Sequence, residues 1–149
     1  MAAFQGVATT AEIALTAATA KTLLQLISPA NHRVRLTGWG VFFDGVSPTA
    51  EPVQVRLLRQ TTAGTMTALT PVKRDSGISD TLQTTAAHTA TAEPTAGDVL
   101  WAGEVHPQAG YEVQYPWGNE IILAGSSRVG LEVTAPAALN ARSFLAFEE

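Results

Sequence analysis

Apolar side chains fall on every second position through much of this chain. Val34 and Leu36 alternate with Arg33, Arg35 and Thr37, and the run continues through Gly38-Trp39-Gly40 into Val41-Phe42-Phe43-Asp44. Successive side chains of a strand point to opposite faces, so a period of two marks a strand with one side buried and one side wet. Val53, Val55 and Leu57 alternate with Gln54 and Arg56, and Val129, Leu131 and Val133 with Gly130 and Glu132. Val113, Tyr115 and Trp117 do the same with Glu112 and Gln114, until Pro116 ends the strand. Further strands are expected at residues 21–27, 99–105, 121–123 and 143–148, with a thinner one at 12–15.

Turn formers separate these runs, among them Ser28-Pro29-Ala30-Asn31, Asp44-Gly45, Ser47-Pro48, Ala96-Gly97-Asp98 and Gly118-Asn119. Short strands with frequent breakers predict an all-β fold: a single-domain antiparallel β-sandwich, jelly-roll-like, with an N-terminal arm. Glycines 38 and 40 inside a strand predict a bend or close approach by another backbone. No window carries an apolar stripe at helical spacing. One short helical turn is expected at residues 78–82, capped by Asp75 or Ser76.

Two segments break the alternation. Residues 2–20 are mostly alanine and threonine, which predicts a flexible arm or a strand that pairs outside its own sheet. The domain organisation is therefore 1–20 as arm or edge strand and 21–149 as sandwich. Residues 84–97 hold no large apolar side chain and predict a long surface loop or a flat edge strand.

Composition sharpens this picture. With 149 residues the chain suffices for one domain with a core of its own. Charged residues are only 15%, against roughly 25% in ordinary globular proteins. Alanine and threonine supply 25 and 19 residues instead. A weakly charged surface of small side chains suits close packing against a neighbour, although a G+C-rich genome produces the same alanine bias. There is no cysteine, which removes disulfides, thiolate metal sites and cysteine nucleophiles. A net charge of −4 with scattered positives predicts no nucleic-acid partner. No apolar run approaches the ~20 residues of a membrane span. Residues 1–20 lack a basic start and contain Glu12, so no signal peptide is expected.

Candidate chemistry is sparse. His32, His88 and His106 stand in no metal-ligand spacing, and Gly125-Ser126-Ser127 is a turn without the G-x-S-x-G elbow of a serine nucleophile. Asp75 and Asp80 are a conceivable carboxylate pair, or with Ser76 a calcium site, but neighbouring Lys73 and Arg74 fit solvated loop charges better. Gly38-Trp39-Gly40 lacks the third glycine of a phosphate loop. Trp39, Trp101 and Trp117, with Tyr111 and Tyr115, could stack on sugars or bases, yet their apolar strand context favours packing in the core or at a subunit interface. The reading is a non-enzymatic chain with no catalytic, cofactor-binding or metal residues.

The order of motifs resembles a family. Thr70-Pro71-Val72-Lys73-Arg74-Asp75, Thr91-Ala92-Glu93-Pro94-Thr95, the segment from Val105-His106-Pro107 to Tyr111-Glu112, and Gly118-Asn119-Glu120-Ile121 follow in turn. Arg128-Val129-Gly130-Leu131-Glu132 and the terminal Phe144-Leu145-Ala146-Phe147-Glu148-Glu149 complete it. Over residues 33–149 this resembles small proteins of tailed bacteriophages and prophages of the head-decoration, or capsid cement, type. The resemblance implies a β-sandwich homotrimer made in the host cytoplasm and placed on the outer surface of the virion, with the major capsid protein as partner and no cofactor. It brings no catalytic residues. In such an assembly, residues 2–20 would add a strand to a neighbour's sheet edge. Two rival classes follow from the residues alone. One is a tail or baseplate component or glycan-binding module using exposed aromatics; the other is a small hydrolase whose residues are gathered by folding.

Overall fold

The computed structural model describes residues 4–47 and 50–149, so the first residues of the expected arm and Pro48 of the expected Ser47-Pro48 turn lie outside it. Two antiparallel sheets pack against each other as a β-sandwich. The first sheet runs β10 (Gly110–Gln114), β4 (Val34–Phe43), β13 (Leu139–Glu148), β1 (Gln5–Thr9), β7 (Val72–Lys73). On its flanks, β11 (Ile121–Leu123) also pairs with β4, and β2 (Ile13–Leu15) also pairs with β13. The second runs β6 (Thr65–Leu69), β8 (Thr85–Ala92), β3 (Ala20–Ile27), β12 (Arg128–Thr134), β5 (Val53–Gln60), β9 (Ala96–Val105).

The alternation read from the sequence decides which side chains meet between the sheets. Leu57, Leu131 and Leu24 share one row across β5, β12 and β3, and all three are fully buried. Trp39 and Leu145 pair across β4 and β13 and are buried opposite them. At roughly 25 cal/mol per Å² of apolar surface, each such leucine contributes about 1.5–3 kcal/mol of burial.

β5 and β6 form one arm of a long ribbon and β9 and β8 the other, from Val53 opposite Val105 to Leu69 opposite Ala86. The ribbon folds over between the Gln60–Ala96 and Thr65–Ala92 pairs, so one half adds β5 to β12 and the other adds β8 to β3. A polar network ties this fold to β3. Gln25 Nε2 donates to Gln60 Oε1 at 2.7 Å and to the Thr62 carbonyl at 3.3 Å. Gln60 Nε2 donates to Thr22 Oγ1 at 3.0 Å, and the Glu93 carboxylate accepts from Thr22 N and Oγ1. Thr22, Gln25 and Gln60 are buried, and these bonds offset the cost of burying their polar groups, with Gln25 Oε1 alone of the network left without a partner among the described residues.

Several expectations are corrected. Over its described residues the N-terminal segment is no free arm: β1 lies between β13 and β7 in the chain's own sheet, β2 also pairs with β13, and Thr10 exchanges hydrogen bonds with Ser143. Residues 84–97 are neither one long surface loop nor one flat edge strand. They give all of β8, which is flanked by β3 and β6, then a short connection at 93–95 and the start of the terminal strand β9. The small side chains Ala86 and Ala90 are buried there, and Thr89 takes φ 55° where the β6–β8 register shifts. No helical turn forms at 78–82. The Lys73 ammonium instead donates to the carbonyls of Ile78 and Asp80. β10 stops at Gln114, and Trp117 stands in the turn beyond it.

The space above glycines 38 and 40 is taken by side chains, not by another backbone. A β-carbon on Gly38 would meet the Gln114 amide at 2.6 Å, and one on Gly40 would meet the Phe144 ring.

Candidate interaction surface

Four of the five aromatics singled out in the sequence come together. Trp39 on β4 and Trp101 on β9 belong to different sheets, and their rings meet edge to face at 4.9 Å. Tyr111 on β10 stacks on Trp101 at 5.1 Å and tilts against Trp39 at 5.9 Å. Trp39 Nε1 donates to the Tyr115 hydroxyl at 3.1 Å. This wedge closes the side of the sandwich where the terminal strands of the two sheets, β9 and β10, lie joined by residues 106–109. Burial raises the Tyr115 pKa above its usual 10.0; the Trp39 hydrogen bond works against that and Tyr111 adds to it. Trp39 is fully buried, so it is core and cannot stack on a ligand.

The outer side of the wedge is accessible. Tyr111 is 42% exposed, and Val99, 48% exposed on the β9 edge, stands on the other face of its sheet from Trp101, in the row of Leu58 and Gly130. Among the described residues, no strand covers the outer edge of either β9 or β10. The fifth aromatic, Trp117, is 79% exposed. It is held on a fixed turn: Asn119 N donates to the Pro116 carbonyl at 3.0 Å, Gly118 takes φ 91°, and Gly118 N donates to Glu120 Oε2 at 2.8 Å. The Arg35 guanidinium carbon sits 5.2 Å from the Trp117 ring centroid, a cation–π distance.

The other sequence candidates stay apart. His32 Nε2 lies 3.9 Å from Glu149 Oε2, His88 Nδ1 is 2.9 Å from Thr89 Oγ1, and His106 Nδ1 accepts from Gln108 N at 3.1 Å. Asp75 Oδ1 accepts from Gly77 N at 2.8 Å within its own loop, and Asp75, Ser76 and Asp80 are all exposed. Ser126 takes φ 59°, and Ser127 Oγ donates to the Ala124 carbonyl at 2.7 Å, so this segment is a turn fastened to Ser28. Among the described residues, no three His, Asp or Glu side chains gather as metal ligands, and no helix is long and apolar enough to cross a membrane.

Sequence reasoning missed the outer face of the first sheet. There Phe42 and Phe144 stack at 6.4 Å with an 18° interplanar angle, each lying over a glycine of a neighbouring strand. The signal was present in Gly40 and Gly110, but a glycine does not say which aromatic will cover it.

Neither a scan against protein-family models nor a search of curated proteins returns a match to this chain.

Proposed function

We propose that the chain is a structural virion protein that decorates and stabilises a bacteriophage capsid by binding across subunits of the major capsid protein. The class comes from the motif order over residues 33–149. The observation that carries it physically is the β9–β10 flank: two adjacent sheet edges with exposed Val99 and Tyr111, the tyrosine being part of the four-ring wedge between the sheets. Aromatics presented on a stiff scaffold lose little side-chain entropy on docking, and interface energy concentrates on such residues. A rigid body that touches several subunits of a shell adds contact area at the junctions where a shell under internal pressure separates.

The test mixes the purified chain with shells that lack it, followed by co-sedimentation and electron microscopy. Density over junctions between major capsid subunits, lost with Tyr111→Ser combined with Val99→Ser, is the expected result. Shells that bind no chain at any tested concentration would overturn the reading.

A glycan-binding module of a tail or baseplate is favoured by one observation, the exposed Trp117 with Arg35 behind it. A glycan array probed with the chain and with Trp117→Ala separates the two: sugar binding that depends on Trp117, without binding to shells, selects the module.

A further inference from the structure

The strand register maps the outer face of the first sheet row by row. The first row holds Ile122, Arg35, Glu148 and Gln5 on β11, β4, β13 and β1. Two residues further along β13 and β1, and three along β4 where the register shifts, come Gln114, Gly38, Ala146 and Val7. The third row is Glu112, Gly40, Phe144 and Thr9, and the fourth is Gly110, Phe42 and Arg142. Between the second and third rows runs Val113-Trp39-Leu145-Ala8, whose side chains point into the sandwich.

The middle of the face is filled by side chains: Gln114 lies over Gly38 and Phe144 over Gly40, and Gly38, Gly40 and Ala146 are buried. The four charges of these rows sum to zero: Arg35 and Glu148 are cross-strand partners in the first row, Glu112 is in the third and Arg142 in the fourth, with Glu12 adding one negative charge beside Arg142. Arg142 is 65% exposed, with Glu12 at 3.9 Å as its ion-pair partner.

We propose that this face pairs with the same face of a second copy of the chain. The two-fold axis lies in the interface, perpendicular to the strands and over the Trp39–Leu145 row. That operation sets the first row against the fourth and the second against the third. Glu148 then meets Arg142 of the second copy, twice by symmetry. The Gln114 amide meets Glu112, Ala146 meets Phe144, and Arg35 meets the Phe42 ring. No like charges face each other. Trp117, rising beside Arg35, comes over Gly110 and meets the Phe42 ring that covers it. A two-fold contact requires this self-complementarity.

Size sets the expected strength. Four strands about 4.8 Å apart and rows spanning about 23 Å give roughly 450 Å² in projection. Pairing therefore removes on the order of 1,000 Å² from the two copies, the low end for a specific contact. The dimer should dissociate in the micromolar range. It is a different contact from the three-fold assembly that the family resemblance implies.

Sedimentation velocity from about 1 to about 300 µM brackets that range. The mass should rise from 15.6 kDa towards twice that value. Glu148→Arg or Arg142→Glu alone should weaken pairing at least about tenfold, and the two together should restore it to within about threefold of wild type. Within one chain these residues are six positions apart on β13, about 20 Å. Each reversal also creates a repulsion inside its own chain, with Arg35 or with Glu12, and the double variant keeps both. Only pairing between copies can therefore rescue it.

As a check that does not rely on charge, the cysteine-free chain allows Glu148→Cys to be mixed with Arg142→Cys under mild oxidant, and a mixed disulfide should form. A monomer throughout, a trimer, or a double reversal without rescue would overturn the pairing. The proposal is independent of the virion reading: a dimer that ignores shells sinks that reading alone, and a monomer that coats shells sinks this one alone.

Discussion

Phe144 lies across Gly40, its cross-strand partner on β4, so closely that a β-carbon on Gly40 would come 2.4 Å from Phe144 Cε1. The ring covers a backbone that glycine leaves bare and fixes the local register of β4 against β13. Gly40→Ala should therefore destabilise the fold by about 1–3 kcal/mol, the usual cost of overpacking a fitted contact. In a Phe144→Ala background the same change should cost much less. Denaturant unfolding of the four proteins in that cycle checks it, and equal costs in both backgrounds would show that the ring and the glycine are not coupled.

Tyr115 accepts the indole N–H of a fully buried tryptophan. Tyr115→Phe keeps the ring but removes the acceptor, leaving the Trp39 N–H without its partner at a cost of about 1–3 kcal/mol. Burial also holds the Tyr115 pKa above 10.0, so the folded chain keeps this proton more tightly than the unfolded chain does. That contribution is complete below pH 10 and is lost as pH rises through the folded value. Unfolding midpoints measured from about pH 8 to about pH 11 should fall more steeply for wild type than for Tyr115→Phe.

Much of this arrangement was legible because large apolar residues recur with period two, as in β4, β5 and β12, and only a strand with one buried face needs that pattern. β8 was not legible for the opposite reason. Its buried positions are Ala86 and Ala90, small side chains that carry no hydrophobic signal. β1 was hidden in the same way, with Gly6 and Ala8 as its buried positions. The Gly6 site is filled by Phe147 from β13, and sequence alone cannot foresee such a long-range partner. The aromatic wedge was half legible. Its members were marked by residue type, but their convergence depends on the ordering of strands in two sheets. Only the register, with Trp39 on β4 and Trp101 at the far edge of the other sheet, brings them together.

Asp44 follows β4 and accepts from the backbone N–H of Asn140 and from its side-chain amide, both at 2.8 Å. These bonds favour the carboxylate and hold its pKa below the ordinary 3.8. A depressed folded pKa adds stability above the unfolded value and loses it as pH falls through the folded one, so this contribution disappears only below pH 3.8. Asp44→Asn should flatten the acid limb of the stability curve without changing its neutral plateau much, because the site is open to solvent. Thermal midpoints between about pH 5 and about pH 2 measure it, and an unchanged acid limb would remove Asp44 from the account.

Glu149 fastens three segments that are far apart in sequence. Its backbone exchanges hydrogen bonds with Phe4 at the entry to β1, both at 2.9 Å. Its carboxylate accepts from Gln83 N at 2.7 Å, from Thr84 N at 2.8 Å and from the Thr84 hydroxyl, just before β8. His32, in the loop between β3 and β4, brings Nε2 to 3.9 Å of the same oxygen. Three donors converge on two oxygens, and the Glu149 side chain is only 3% exposed. A glutamine must turn its NH₂ group towards at least one of those donors. Glu149→Gln should therefore cost about 1.5–3 kcal/mol, the range for hydrogen bonds to a charged acceptor. The loss should be local before it is global, since β8 is still held by β3 and β6 along its length. Amide exchange should accelerate first at Gln83 and Thr84, while Leu24 and Leu131, deep in the β3–β12 pair, keep wild-type protection. Uniform acceleration at all four amides would mean that the carboxylate stabilises the whole sandwich and does not act as a fastening for the entry to β8.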